Sequence, residues 1–255
     1  RNSSNKANSV TGALEWYRQT YGNYIYKKDI TVDIASGTYN ENIYIGGFIG
    51  TGMVHINFHA NSVIYGSIVV EENTLFTVLN GSGSPWNGSS GAILESRQSH
   101  AITIRNCNCL VRGFRSRPPS YPNYGHNFIL LKNGARVWMQ DCDIVKYWRM
   151  CTCQLGGMFH SCDNVGDVQY GLDEFYSSWA YFSGVYTPMT VGNLVKDIWN
   201  SRVTGNPNPH NSSWIPKNTT PPVVTPTYKW FENTFSLTNL RTVPEGSGSG
   251  TSSRS

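Results

Sequence analysis

Apolar and polar residues alternate with period two along most of this chain, in short runs that end on Asn, Asp or Ser followed by a small residue. The clearest runs are Ile102-Thr-Ile104-Arg-Asn106-Cys107, Val137-Trp-Met139-Gln-Asp141-Cys142 and Gly157-Met-Phe159-His-Ser161-Cys162. A fourth, Trp179-Ala-Tyr181-Phe-Ser183-Gly184, has Gly in place of Cys, and looser copies end at Ala60 and Gly81. The six anchors are spaced 21, 26, 35, 20 and 22 residues apart. Period-two alternation predicts strands, and recurrence at this spacing predicts a solenoid whose copies bury their apolar faces only by stacking. The predicted fold is all-β, a right-handed parallel β-helix.

Strand parity turns Ile102, Ile104, Val137 and Met139 inward and Thr103, Arg105, Trp138 and Gln140 outward. Asn106, Asp141, Ser161 and Ser183 then fall at bends, which suits residues that tolerate left-handed backbone or bond their own main chain. After the bend, Cys107, Cys142 and Cys162 are expected to point inward and stack as a ladder in the core. A disulfide within that column and metal ligation by Cys107-x-Cys109 or Cys151-x-Cys153 are the competing readings. Zinc knuckles usually use a wider spacing and a second ligand pair, and free Cys is among the most buried residue types.

Four zones follow from the pattern. Residues 1–10 read as a flexible polar segment. Residues 11–204 read as the β-helix domain, entered through a short helix that Thr11 caps and that carries Ala13, Leu14 and Tyr17 as an apolar stripe. Such a helix plugs the open end of a solenoid. Residues 205–245 form a Pro-rich arm and a C-terminal strand segment around Trp230, Phe231, Phe235 and Leu237. Residues 246–255 are a Gly/Ser tail. The chain opens at Arg1 without an apolar leader and reads as part of a longer protein.

Charged residues make up only 14% of the 255, against roughly 25% in an average globular chain, while Gly (25) and Tyr (15) are abundant. That profile suits a rigid β-rich fibre or surface protein. The net charge of +4 is too mild to argue for nucleic acid, and no apolar run is long enough for membrane insertion. No cofactor is indicated.

The run Ile34-Ala-Ser-Gly37-Thr-Tyr39-Asn-Glu41-Asn-Ile43, followed by Ile45-Gly-Gly-Phe48, resembles the opening turn of pectate-lyase-like β-helix modules. It is similar in particular to those in tail fibre and baseplate appendages of phages infecting Gram-positive bacteria. The resemblance implies a homotrimeric virion protein, assembled in the host cytoplasm beside other virion proteins, that binds a host cell-wall or capsular saccharide.

Three groups of residues are candidates for function. Residues 112–126 lengthen one turn and concentrate Arg115, Arg117, Tyr121 and Tyr124, along with Arg112 and Phe114. Aromatic rings stack on sugars and Arg forks grip phosphate or carboxylate, so Arg115, Arg117, Tyr121 and Tyr124 are the expected ligand-binding set. A subunit contact would use the same residue types. The second group is an outward column of Asn108, Asp143 and Asp163. Asp143 and Asp163 would be neighbours on adjacent turns and would form the acid pair of a glycan depolymerase, hydrolase or lyase; Asp141, Asp173 and Glu174 would extend it. Solvated surface acids are the plain alternative. Nucleophilic catalysis finds no support in the scattered His residues, for no G-x-S-x-G elbow or H-E-x-x-H helix occurs. The leading expectation is a saccharide-binding virion appendage; the alternatives are a depolymerase and a structural spacer.

Overall fold

The computed structural model describes residues 9–21, 25–84, 91–96, 100–117, 123–162, 164–176, 178–183, 189–195, 198–199 and 202–205. The Pro-rich arm, the 228–240 segment and the Gly/Ser tail lie outside the described residues. Helix α1 (Val10–Tyr21) comes first, then β1 (Ile30–Ile34), β2 (Thr38–Tyr39), β3 (Ile43–Gly46), β4 (Met53–Phe58), β5 (Val63–Ile64), β6 (Ile68–Glu71) and β7 (Phe76–Asn80). The middle turns hold β8 (Ala92–Leu94), β9 (Ile102–Arg105), β10 (Asn108–Arg112), β11 (Phe114–Ser116), β12 (Asn123–Lys132), β13 (Arg136–Gln140) and β14 (Asp143–Gln154). Then follow β15 (Met158–Cys162), β16 (Val165–Tyr176), β17 (Trp179–Ser183), β18 (Met189–Val195), β19 (Ile198–Trp199) and β20 (Arg202–Gly205).

All pairings between these strands are parallel, and the right-handed parallel β-helix read from the repeat is the fold. One eight-stranded sheet runs β1-β4-β7-β10-β13-β15-β17-β20, and a twelve-stranded sheet holds the rest. In the first turns the larger sheet makes two walls from separate strands, β2 and β3, then β5 and β6. At β14 the walls join: Asp143 pairs with β11, while positions from Tyr147 onward pair with β12.

The register corrects the sequence alignment. In the eight-stranded sheet the stacked column is Ile30, Val54, Thr77, Cys109, Val137, Phe159, Ala180 and Val203. The copy belonging to it is therefore Asn108–Arg112, not the run starting at Ile102. Ile102 stacks instead in another wall, between Ile68 and Ile129, in a buried ladder that starts at Ile43 and continues to Cys151. Cys107 and Cys142 are buried as expected, but they follow strands of different walls and do not stack. Cys162 pairs with Gln140 and is half-buried on the outer side. The expected cysteine ladder does not form. All six thiols are free, and burial holds Cys142 up to about 12 and Cys107 up to about 11, which leaves them unreactive packing groups.

The bends at Asn106 and Asp141 do have left-handed backbone, with φ of 48° and 52°. Asn106 belongs to a full corner column: Gly47, Glu72, Asn106, Asn133 and Leu155 are successive along the axis, and all five have positive φ. Ser161 is instead a buried strand residue. Gly113 (φ 70°) turns the chain from β10 into β11, and its carbonyl oxygen is where Gly81, Gly83 and Gly91 converge. A Cβ on any of those three would meet that oxygen, and Gly83 and Gly91 also touch each other. Gly83 and Gly91 are thus held side by side at this one point.

Helix α1 packs Val10 and Leu14 against β3 and the buried Phe48, closing the N-terminal end of the solenoid. Its start lies earlier than Thr11. The Ser9 hydroxyl accepts the Gly12 N–H (2.9 Å), and the Glu41 carboxylate accepts those of Val10 (2.8 Å) and Thr11 (3.0 Å). Glu41, from the turn that carries the family resemblance, thus caps the helix from a distant segment, where an anion is favoured by the orphan donors and the helix dipole.

Candidate functional site

Within 112–126 the described residues are mostly wall rather than loop. Phe114 is fully buried edge-on to Phe58 (5.4 Å), Ser116 is buried, and β12 begins at Asn123. Gly113 supplies the turn between two strands of one rung, and parity then sends Arg115 outward. Tyr121 lies outside the described residues, as does the side chain of Tyr124. Arg117 follows β11, exposed, with its N–H donating to the Leu94 carbonyl (2.9 Å).

The register brings two sequence candidates together: Arg115 pairs with Asp143 on the next turn, and their side chains form an ion pair of 3.5 Å. Both are mostly withdrawn from solvent, at 29% and 22% exposure. Burial raises the Asp143 carboxyl above its usual range even though Arg115 and Arg117 pull it down. The expected pair with Asp163 is not formed by register, since the partner of Asp143 is Val165; Asp163 itself lies outside the described residues. Asn108 is on the eight-stranded sheet, away from Asp143. Asp141 sits in the corner between them, and the side chains of Asp173 and Glu174 are outside the described set. A glycosidase needs two carboxylates facing one bond, and the register does not supply Asp163 as the second beside Asp143.

The outer face of the eight-stranded sheet carries a feature the sequence alignment concealed. Across β10, β13, β15 and β17, Leu110, Trp138, His160 and Tyr181 are register partners, flanked on one side by Asn108, Arg136, Met158 and Trp179. Arg112, Gln140 and Cys162 flank the other side. The rings of Trp138 and His160 lie with centroids 4.4 Å apart, tilted by 31°, and burial lowers the His160 pKa. Trp138 and Trp179 remain 46% and 41% exposed. The alternation did give Trp138 as outward. What it could not give was its neighbour: the alignment put Trp138 level with Thr103 and Met158, whereas the register puts it beside His160, and Arg105 sits on another wall, bound to Glu71 at 2.8 Å. This face and the Arg115–Asp143 pair occupy the same turns, on either side of the Gly113 and Asp141 corner.

Other clusters have structural explanations. His59 Nδ1 is 2.7 Å from Ser36 Oγ, but that hydroxyl donates to the Ala60 carbonyl (3.0 Å), which also lies 3.0 Å from Nδ1. The hydroxyl is thus tied to a backbone carbonyl of the turn. No group of three His, Cys, Asp or Glu side chains among the described residues is arranged for a metal ion. A concavity of about 150 Å³ between α1 and β3, lined by Leu14, Arg18, Tyr44 and Phe48, is the seam of the end cap.

His100 is the most perturbed histidine. Its Nδ1 accepts the Asn127 N–H (3.0 Å), so its proton is on Nε2. Burial, then His126, Lys132 and Arg149, lowers its pKa to about 4. The unfolded chain binds this proton below pH ~6.5 while the folded one does not until about 4, so stability is complete above 6.5 and falls as pH drops toward 4. With allowance for the ring's partial exposure, the loss is on the order of 1–2 kcal/mol. In His100→Asn the side-chain oxygen takes over the Asn127 N–H, and melting at pH 7.5 and 4.5 is expected to show a smaller drop than in the native chain. An equal drop would assign the acid sensitivity elsewhere.

Comparison with protein-family models, with curated proteins and with solved structures found no match for this chain.

Proposed function

We propose that this solenoid is the saccharide-binding part of a virion appendage and attaches to a host cell-wall or capsular polymer through the outer surface of its middle turns. The observation that carries the reading is the exposure of Trp138 and Trp179 on a rigid sheet whose interior is already filled. A large aromatic held in solvent forgoes ~2 kcal/mol or so of burial and marks a surface that is covered when a ligand is present. Arg115 and Arg117 continue the surface around the corner, and Tyr121 and Tyr124 belong to the same proposed ligand set. Assembly as a homotrimer among other virion proteins is part of this reading and draws on the resemblance of the opening turn.

Sedimentation with purified Gram-positive wall polysaccharide tests it, with polymer length followed in the same samples. The native chain should co-sediment, and Trp138→Ala with Trp179→Ala should weaken binding at least tenfold with little change in melting temperature. The depolymerase reading has one observation in its favour, the raised Asp143 carboxyl beside Arg115. Polymer shortening that disappears in Asp143→Asn would install it. Neither binding nor shortening would leave a spacer.

A further inference from the structure

The charge on the tryptophan-bearing face is uncompensated. Arg112 and Arg136 are exposed, and neither side chain has an ion pair or hydrogen bond among the described residues, whereas Arg105 is bound to Glu71 and Arg115 to Asp143. The strands β10, β13 and β15 contain no acidic residue at all. Among the described residues, the acids that adjoin these strands in sequence are Asp141, in the corner, and Asp143, paired with Arg115 on the adjoining wall.

The placement of the two cations defines the ligand further. Arg136 precedes Trp138 by two residues on the same side of β13, while Arg112 is opposite Gln140, two residues beyond Trp138 on the neighbouring strand. They therefore bracket the indole on a diagonal, with Cα atoms roughly 14 Å apart from strand rise and strand spacing. A single small anion does not span that distance. Two anionic groups on a chain, with a ring unit lying over Trp138 between them, do. Arg is suited to both carboxylate and phosphate, which it grips in a fork.

We propose that this face binds an acidic polysaccharide, one bearing uronate or phosphodiester groups, with Trp138 under a sugar ring and Arg112 and Arg136 on the flanking anions. This rests on the saccharide-binding reading and adds the ligand's charge class and its contact residues. Single-stranded nucleic acid fits less well, since it carries a charge at every nucleotide and would meet two cations across three strands.

The test is an array of purified bacterial polysaccharides, neutral, uronate-bearing and phosphodiester-bearing, with a dT30 oligonucleotide included and the full chain as analyte. Binding confined to acidic polymers, weakening with added salt and at least tenfold weaker in Arg112→Gln with Arg136→Gln, is the expected result. Both side chains are exposed, so the double variant should keep the native melting temperature. Equal binding to neutral polymers, or full affinity in the double variant, would overturn the acidic-ligand assignment and leave saccharide binding standing. Binding of dT30 as tight as that of the best polysaccharide would reduce the face to a general polyanion surface and overturn it too. Silence across all polysaccharides would remove the saccharide reading itself.

Discussion

Gly91→Ala should destabilise the protein by roughly 3 kcal/mol or more, whereas Gly134→Ala should cost only about 1. At Gly91 the added methyl overlaps the Gly113 carbonyl oxygen and approaches that of Gly81, both backbone atoms fixed by hydrogen bonds: Gly83 N–H donates to the first (3.1 Å) and Ala92 N–H to the second (2.7 Å). Relief requires moving the β8 wall away from β11. At Gly134 nothing lies within 4 Å of the new methyl, and the cost is only that of left-handed backbone at φ 72°. Urea unfolding of the two variants checks the ranking. Similar small losses in both would mean that the convergence of Gly81, Gly83 and Gly91 on Gly113 is looser than described.

Cys142→Asp should be the second large effect, several kcal/mol or failure to fold, while Cys162→Asp should stay within about 1 kcal/mol. Cys142 is fully buried. Its N–H donates to the Asn164 side-chain oxygen (2.9 Å), and its thiol faces the carbonyl oxygens of Gln140 (3.3 Å) and Val111 (3.9 Å), so a carboxylate there would meet carbonyl oxygens in place of water. Cys162 lies half-buried on the outer side, where a carboxylate reaches water. Thermal melts of the pair read the register directly, because stacked, inward cysteines would make the two substitutions equally harmful.

That contrast shows what the sequence could and could not express. Period-two parity is local, so Val137 and Met139 inside, Trp138 outside and left-handed bends at Asn106 and Asp141 were all legible. Register is not local. Each turn contains several strands with the same alternation, and more than one wall ends in a left-handed corner. Ile-Thr-Ile-Arg-Asn-Cys and Val-Trp-Met-Gln-Asp-Cys therefore look alike while belonging to different walls. The error propagated into the site: Asp143 was matched with Asp163, when its cross-turn partners are Arg115 and Val165. Arg115 was in turn assigned to an inserted loop because the anchors on either side of it lie 35 residues apart, although Phe114 and Ser116 are buried. The helix was visible as an apolar stripe. Its cap was not, because Glu41 reaches it from thirty residues away.

The closed neck at Gly83 and Gly91 has an implication for how such a surface can diversify. An excursion whose two ends already touch adds only about 0.6 kcal/mol of closure entropy for each doubling of its length. Sequence entering after Gly83 and leaving before Gly91 can therefore lengthen, shorten or be exchanged wholesale while Ala92 keeps its hydrogen bond to Gly81 and the walls keep their register. The position is a natural port for grafting a peptide epitope, a reporter or a second binding module onto the solenoid.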